Sequence, residues 1–134
     1  MNNKNTLPKD FLLINSFKNK ENKVIYNVLH YKSGNIILTK SFSREFSINI
    51  VNFFAIVKAL MYCKSHKVKL PIFSNNYSAL KWIKDKKIKD YENTMVANCA
   101  NMAVSILYRC ENLDLVYYWN KQYFGTVGEF FRNS

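Results

Sequence analysis

The hydrophobic pattern of this chain changes period near Ser43, and that change limits the folds open to it more than any other feature. Before it come three runs rich in β-branched and aromatic residues: FLLINSF from Phe11 to Phe17, KVIYNVLHYK from Lys23 to Lys32, and NIILTKSF ending at Phe42. Short apolar runs of this composition suit strands, because branched and aromatic side chains pack well on a pleated surface. Ser33-Gly34-Asn35 is a turn signal between the second and third runs, so Phe11 to Phe42 reads as an antiparallel meander. After Ser43, residues Phe53, Val57, Leu60 and Met61 recur at helical spacing. An amphipathic helix is expected from about Ile50 to Ser65.

Further on, VKLPIF from Val68 to Phe73 reads as a strand, and Ser74-Asn75-Asn76 as the cap of a second helix. Ala79, Leu80, Trp82 and Ile83 supply one face of that helix, which runs into Lys84-Asp85-Lys86-Lys87-Ile88-Lys89. A third helix is expected from Glu92 to about Cys110, a last strand from Leu113 to Trp119, and a short terminal helix within Phe124 to Phe131. Residues 1–10 are polar, contain Pro8 and read as a loose tail; residues 11–134 read as one domain. The order β-β-β-α-β-α-α-β with a terminal helix predicts the α/β class, as an α+β mixed sheet. Such folds open a crevice at the carboxyl ends of their central strands. Asn15 near the end of the first strand, Asn75 after the fourth, and Asn52 at the start of the first helix are expected to approach it.

Lys and Arg number 20 against 9 Asp and Glu, a net charge of +11 in 134 residues. A field of that strength draws polyanions, meaning nucleic acid or an anionic membrane surface, ahead of acidic proteins. A lysine-rich surface that serves solubility explains the charge equally well. The three cysteines are an odd number and no signal-like segment follows the early lysines, so a reducing, cytoplasmic setting without disulfides is expected. The most apolar stretch, Val51 to Cys63, is interrupted by Lys58. It is shorter than the about 20 residues that span a bilayer, and no membrane partner is expected.

Several other groups carry weaker signals. Cys63 and His66 lack a second pair at zinc-site spacing. Cys99 and Cys110, on a helical pattern with Met102, Val104 and Leu107, read as core, and His30 has no nucleophile signature near it. Tyr117, Tyr118, Trp119, Tyr123 and Phe124 have the composition of a base-stacking surface but read first as packing.

The stretch NIVNFFAIVKALMYCKSHKVKLPIFSNNYSALKWIKDKK, from Asn49 to Lys87, resembles ribonuclease H in this order of elements, especially the bacterial forms that carry an extra N-terminal hybrid-binding domain. That extra domain has no counterpart among these residues. The resemblance extends over most of Phe11 to Asn133, strongest in the middle and weakest in the last ten residues. It implies a ribonuclease H-like fold. Matched residue by residue, Asn15 stands where the family has an Asp ending the first strand. Asn52, in NIVNF, takes a Glu position, and Asn75, in SNN, takes an Asp position. Glu129, in GEFFRN, matches the last acidic position. Lysine, asparagine, isoleucine, tyrosine and phenylalanine abound, which suggests AT-rich coding DNA, where a single base change turns an Asp codon into an Asn codon. Ordinary turn and cap roles in an Asn-rich chain are the alternative for each Asn taken singly.

The family's chemistry is two-metal hydrolysis. Mg²⁺ gives up water reluctantly and gains most from carboxylates, and two close cations need several negative charges to offset their repulsion. Between Phe46 and Lys84 there is no Asp or Glu to stand in. The resemblance therefore implies a pseudoenzyme without the Mg²⁺ cofactor. What it leaves is binding. Asn49 matches a position that contacts the minor groove and sugar hydroxyls of a hybrid, and Asn76 is grouped with it. Lys84, Lys86, Lys87 and Lys89 match a region like the basic substrate-binding extension of some members, or are simply a solvated helix end. The expected partner is nucleic acid: RNA, an RNA/DNA hybrid, or structured RNA in a ribonucleoprotein. A residual metal-dependent hybrid ribonuclease using Glu129 and Asn75, and a structural scaffold for protein contacts, stay open as alternatives.

Overall fold

The computed structural model describes residues 6–88 and 93–132, and β1, Leu12–Lys18, is the axis around which they assemble. Phe11 to Ile14 are all fully buried. Leu12 and Ile14 enter one core with Val24, Val28 and Ile72, while Phe11 and Leu13 enter a smaller one with Leu29, Phe73, Trp119 and Val127. A strand covered on both faces needs apolar residues at every position, which is why its first half reads as a continuous run.

β2, Val24–His30, pairs antiparallel with β1, and β3, Asn35–Phe42, pairs antiparallel with β2 with an irregularity at Val28/Leu29. On the other side of β1, the short β4, Ile72–Ser74, runs parallel to it, and β5, Val116–Tyr118, runs parallel to β4. The five-stranded sheet has the order β3-β2-β1-β4-β5. The mixed α/β class expected from the period change is the class observed.

α1, Ile48–Ser65, begins two residues before the expected start, where Ser47 Oγ accepts from Ile50 N at 3.1 Å. It is not amphipathic. Ile50 through Val57 are buried without a break, because the sheet covers one side and α2 (Tyr77–Asp85) and α3 (Thr94–Leu107) cover another. A helix that is apolar all round is a buried helix. Its 18 residues are also long and apolar enough to cross a membrane by length and composition, which corrects the length argument drawn from Val51 to Cys63. Packing inside the fold marks it as a core helix.

Other boundaries move too. β4 starts at Ile72 rather than Val68, and Pro71 contributes its carbonyl to Leu12 N at 2.9 Å; proline has no N–H to offer a ladder and sits just before the strand. The expected last strand opens as a 3₁₀ turn at Leu113–Leu115. The terminal helix is two pieces, α4 (Lys121–Phe124) and α5 (Val127–Arg132). Gly125 between them has φ +81°, a backbone state open to glycine at little cost. Trp119 Nε1 donates to its carbonyl at 2.8 Å. The expected start of the third helix, Glu92, lies outside the described residues, and α3 is capped by Asn93, whose Oδ1 accepts from Met95 N and Val96 N at 2.8 and 3.2 Å.

Two expectations about the core are corrected. α3 buries Val96, Ala100, Ala103 and Leu107, while Met102 is 68% exposed and Cys99 and Cys110 are only half-buried. The aromatic group near the C-terminus divides: Trp119 is fully buried, but Tyr117, Tyr118 and Tyr123 lie at the surface. Within the polar N-terminal stretch, Leu7 packs against the smaller core.

Candidate functional site

Asn52 is the fifth residue of α1, not its first, and it is completely buried. Its Nδ2 donates to Ser16 Oγ at 2.8 Å, and its Oδ1 accepts from Ser74 Oγ at 2.7 Å. Ser16 shares a face of β1 with Leu12 and Ile14, and Ser74 ends β4. Ser74 Oγ in turn accepts from Asn76 N at 3.1 Å. One neutral, hydrogen-bonded chain thus links α1, the two central parallel strands and the entry to α2. Burying an amide is tolerable because both of its polar atoms have partners.

The other positions matched to acids are not gathered with Asn52. Asn15 lies in mid-strand, opposite Asn27, because β1 runs on to Lys18. Strand alternation gives it the Phe11 and Leu13 face, away from Asn52. Asn75 is exposed one residue past β4. Since Leu13 pairs with Phe73, Asn15 and Asn75 come two residues later on neighbouring chain segments. Glu129 forms a capping box with Thr126: its Oε1 accepts from Thr126 Oγ1 at 2.7 Å, and Thr126 Oγ1 accepts from Glu129 N at 3.2 Å. The sequence pattern Thr-x-x-Glu carries that role openly. Among the described residues, no three His, Cys, Asp or Glu side chains form a group able to hold a metal ion.

Two of the expected binding residues do meet. Asn49, exposed on the first turn of α1, accepts through Oδ1 from Asn76 Nδ2 at 2.8 Å. Asn76 Oδ1 meanwhile caps α2 by accepting from Ala79 N at 2.8 Å. The pair ties the N-termini of α1 and α2 together, and neither helix has an acidic residue in its first turn. Unpaired N–H groups leave partial positive charge at such ends.

The expected lysines occupy the far end of α2, with Lys84 roughly 12 Å along the helix axis from Asn76. Lys84 and Lys87 are exposed. Lys86 caps the helix with φ +57° and holds Nζ 5.2 Å from the Tyr108 ring centroid. Lys89 lies outside the described residues. Lys84, Asp114 and Tyr118 line a hollow of about 470 Å³ between α2 and β5. Beside it, Tyr77 stacks on Tyr118, with centroids 4.5 Å apart and planes 14° from parallel. A hydrogen bond to Tyr118 pushes the Tyr77 phenol above the ordinary tyrosine range. Tyr77 was invisible to sequence reasoning, although it precedes Lys84 by seven residues and so shares its side of the helix.

His30 has neighbours that its sequence context does not announce. Its Nε2 lies 2.8 Å from Asp10 Oδ2, and its Nδ1 lies 3.0 Å from Ser33 Oγ. Asp10 Oδ1 accepts from Phe11 N at 2.9 Å and Lys32 N at 3.1 Å. Partial burial raises the Asp10 pKa, but the His30 and Lys32 hydrogen bonds outweigh it and hold the carboxyl below its ordinary range. This cluster clips the entry of β1 to the β2–β3 turn. Compared with models of protein families and with curated protein sequences, the chain matches none.

Proposed function

We propose that this chain is a ribonuclease H-like protein that binds nucleic acid without cleaving it, its ligand being RNA, an RNA/DNA hybrid or structured RNA in a ribonucleoprotein. An antiparallel meander followed by a helix and a parallel strand is what the resemblance leads one to expect, and β1 to β4 follow that course. The observation that carries the proposal is Asn52. Where the resemblance calls for a metal-binding Glu, the fold holds a neutral amide with both polar atoms engaged by Ser16 and Ser74.

The residues present do not fit a pair of Mg²⁺ ions. Asn52 is occupied, Asn15 faces away from it, and the Glu129 carboxylate is committed to a helix cap. Binding without metal has separate support. The joined N-termini of α1 and α2 and a charge of +11 favour a phosphate backbone. The test is anisotropy titration with an RNA/DNA hybrid and an RNA duplex at physiological salt, in EDTA and in Mg²⁺ or Mn²⁺. Equal affinity with and without metal, and intact substrate, is the expected result. Cleavage above a Glu129→Ala control would establish residual nuclease activity instead. Binding no stronger than that of an unrelated protein of equal charge would sink the proposal and leave the scaffold role.

A further inference from the structure

We infer that Tyr77 and Tyr118 form a stacking platform for an unpaired base of the bound nucleic acid, an inference that rests on the nucleic-acid reading proposed above. Tyr77 is 70% exposed and Tyr118 38%, yet the rings lie nearly parallel at 4.5 Å. The stack covers one face of each ring and leaves Tyr77 the more exposed of the two. What the stack achieves is to lay Tyr77 flat against its neighbour while Tyr77 itself stays largely in solvent. A planar ligand added to the other face of Tyr77 continues the stack.

The surroundings favour a nucleobase over other planar groups. Asn76, adjacent in sequence, is bonded to Asn49 at the two joined helix N-termini, where the peptide dipoles favour a phosphate. Along α2 in the other direction, Lys84 lines the same hollow as Tyr118. The joined helix ends and Lys84 thus stand on either side of the rings, groups that can hold a backbone while bases stack. Asp114 on the turn before β5 also lines the hollow, and its charge steers phosphate toward the Lys84 side. The base must be unpaired, because in a continuous duplex both faces of each base are already covered by neighbours. Single strands, bulges and frayed ends present an open face.

The experiment titrates the full chain with a single-stranded RNA carrying one 2-aminopurine and, separately, with a blunt RNA/DNA hybrid. Tyr77→Ala is expected to weaken single-strand binding by roughly 5- to 150-fold, the range for loss of one stacked base, and to leave hybrid affinity within about twofold. Tyr77→Trp should retain binding, and 2-aminopurine quenching seen with the wild type should vanish in Tyr77→Ala. Because Tyr77 is so exposed, its variants test the idea without depending on whether Tyr118→Ala folds. If the wild type binds both ligands and Tyr77→Ala binds them equally well, the platform is wrong and the proposed function stands. Equal weakening for both ligands likewise overturns the platform, since it reports general electrostatics. If the wild type binds the hybrid but not the single strand, the platform is wrong and the proposed function stands; if it binds neither of these nor an RNA duplex, both proposals fall, and saturable binding of a proline-rich peptide at Tyr77 would then identify a protein partner.

Discussion

Two hydrogen-bonded clusters of similar length brace β1, and they are built from opposite chemistry. Asn52, Ser16 and Ser74 are neutral and sit where α1 crosses the sheet, with Asn52 and Ser74 fully buried and separations of 2.7 and 2.8 Å. Asp10, His30 and Ser33 stand at the edge, with the Asp10 and His30 side chains 23% and 22% exposed and separations of 2.8 and 3.0 Å. Water decides the difference. Removing a charge from water costs more than one partner returns, so the interior cluster uses an amide and hydroxyls. At the edge, solvent helps to support a carboxylate, and an imidazole is a good partner for it. The neutral amide is thus part of the core, while the carboxylate and its imidazole partner stand at the edge.

Placing a charge in the inner cluster should break this contrast most severely. Asn52→Asp is expected to destabilise the fold by about 3–4 kcal/mol at neutral pH, because a carboxylate there has hydroxyl partners but no counter-charge. The introduced acid would have a raised folded-state pKa, so the folded form binds more protons and the loss shrinks as pH falls. Urea denaturation at pH 5 and pH 8 checks both points; a variant as stable as the wild type at pH 8 would mean that the cluster is not shielded from water. Asn52→Ala is milder, about 1–3 kcal/mol by the same measurement, since it leaves the Ser16 and Ser74 hydroxyls without their shared partner.

The outer cluster should tolerate more. Asp10→Asn is expected to cost no more than about 1 kcal/mol at neutral pH, the range for ion pairs that water reaches. Its signature is in the pH dependence. Asp10 has a lowered folded-state pKa, so its contribution is present above the ordinary carboxylate range and is lost as pH falls through the folded value. Asp10→Asn should therefore flatten the acid side of a melting-temperature profile. An unchanged acid limb would show that the pair adds nothing to stability.

Much of the architecture was legible along the chain. Phe11 to Ile14 announce a strand covered on both faces, the β2 and β3 segments carry branched and aromatic residues, and the helices appear near their observed places. Less legible was which faces are covered. Phe53, Val57, Leu60 and Met61 suggest a single apolar stripe, whereas α1 is enclosed by the sheet and two helices. Val68 to Leu70 look like strand, but the parallel ladder starts only at Ile72. In the candidate site, Asn49 and Asn76 were named and do meet. Ser16 and Ser74 were missed, although simple alternation in FLLINSF puts Ser16 on the Leu12 and Ile14 face.

By itself the sequence determined the mixed α/β class, the chain order of strands and helices, the positive charge and the lack of acids between Phe46 and Lys84. These follow from local rules, since period, propensity and charge need only near neighbours. Only the tertiary structure decided that Asn52 is sealed by residues 36 and 22 positions away in sequence, and that Tyr77 meets Tyr118. Those pairings depend on strand register and on how α1 and α2 cross the sheet. No local pattern encodes them, because they arise when distant segments compete to bury the same apolar surface.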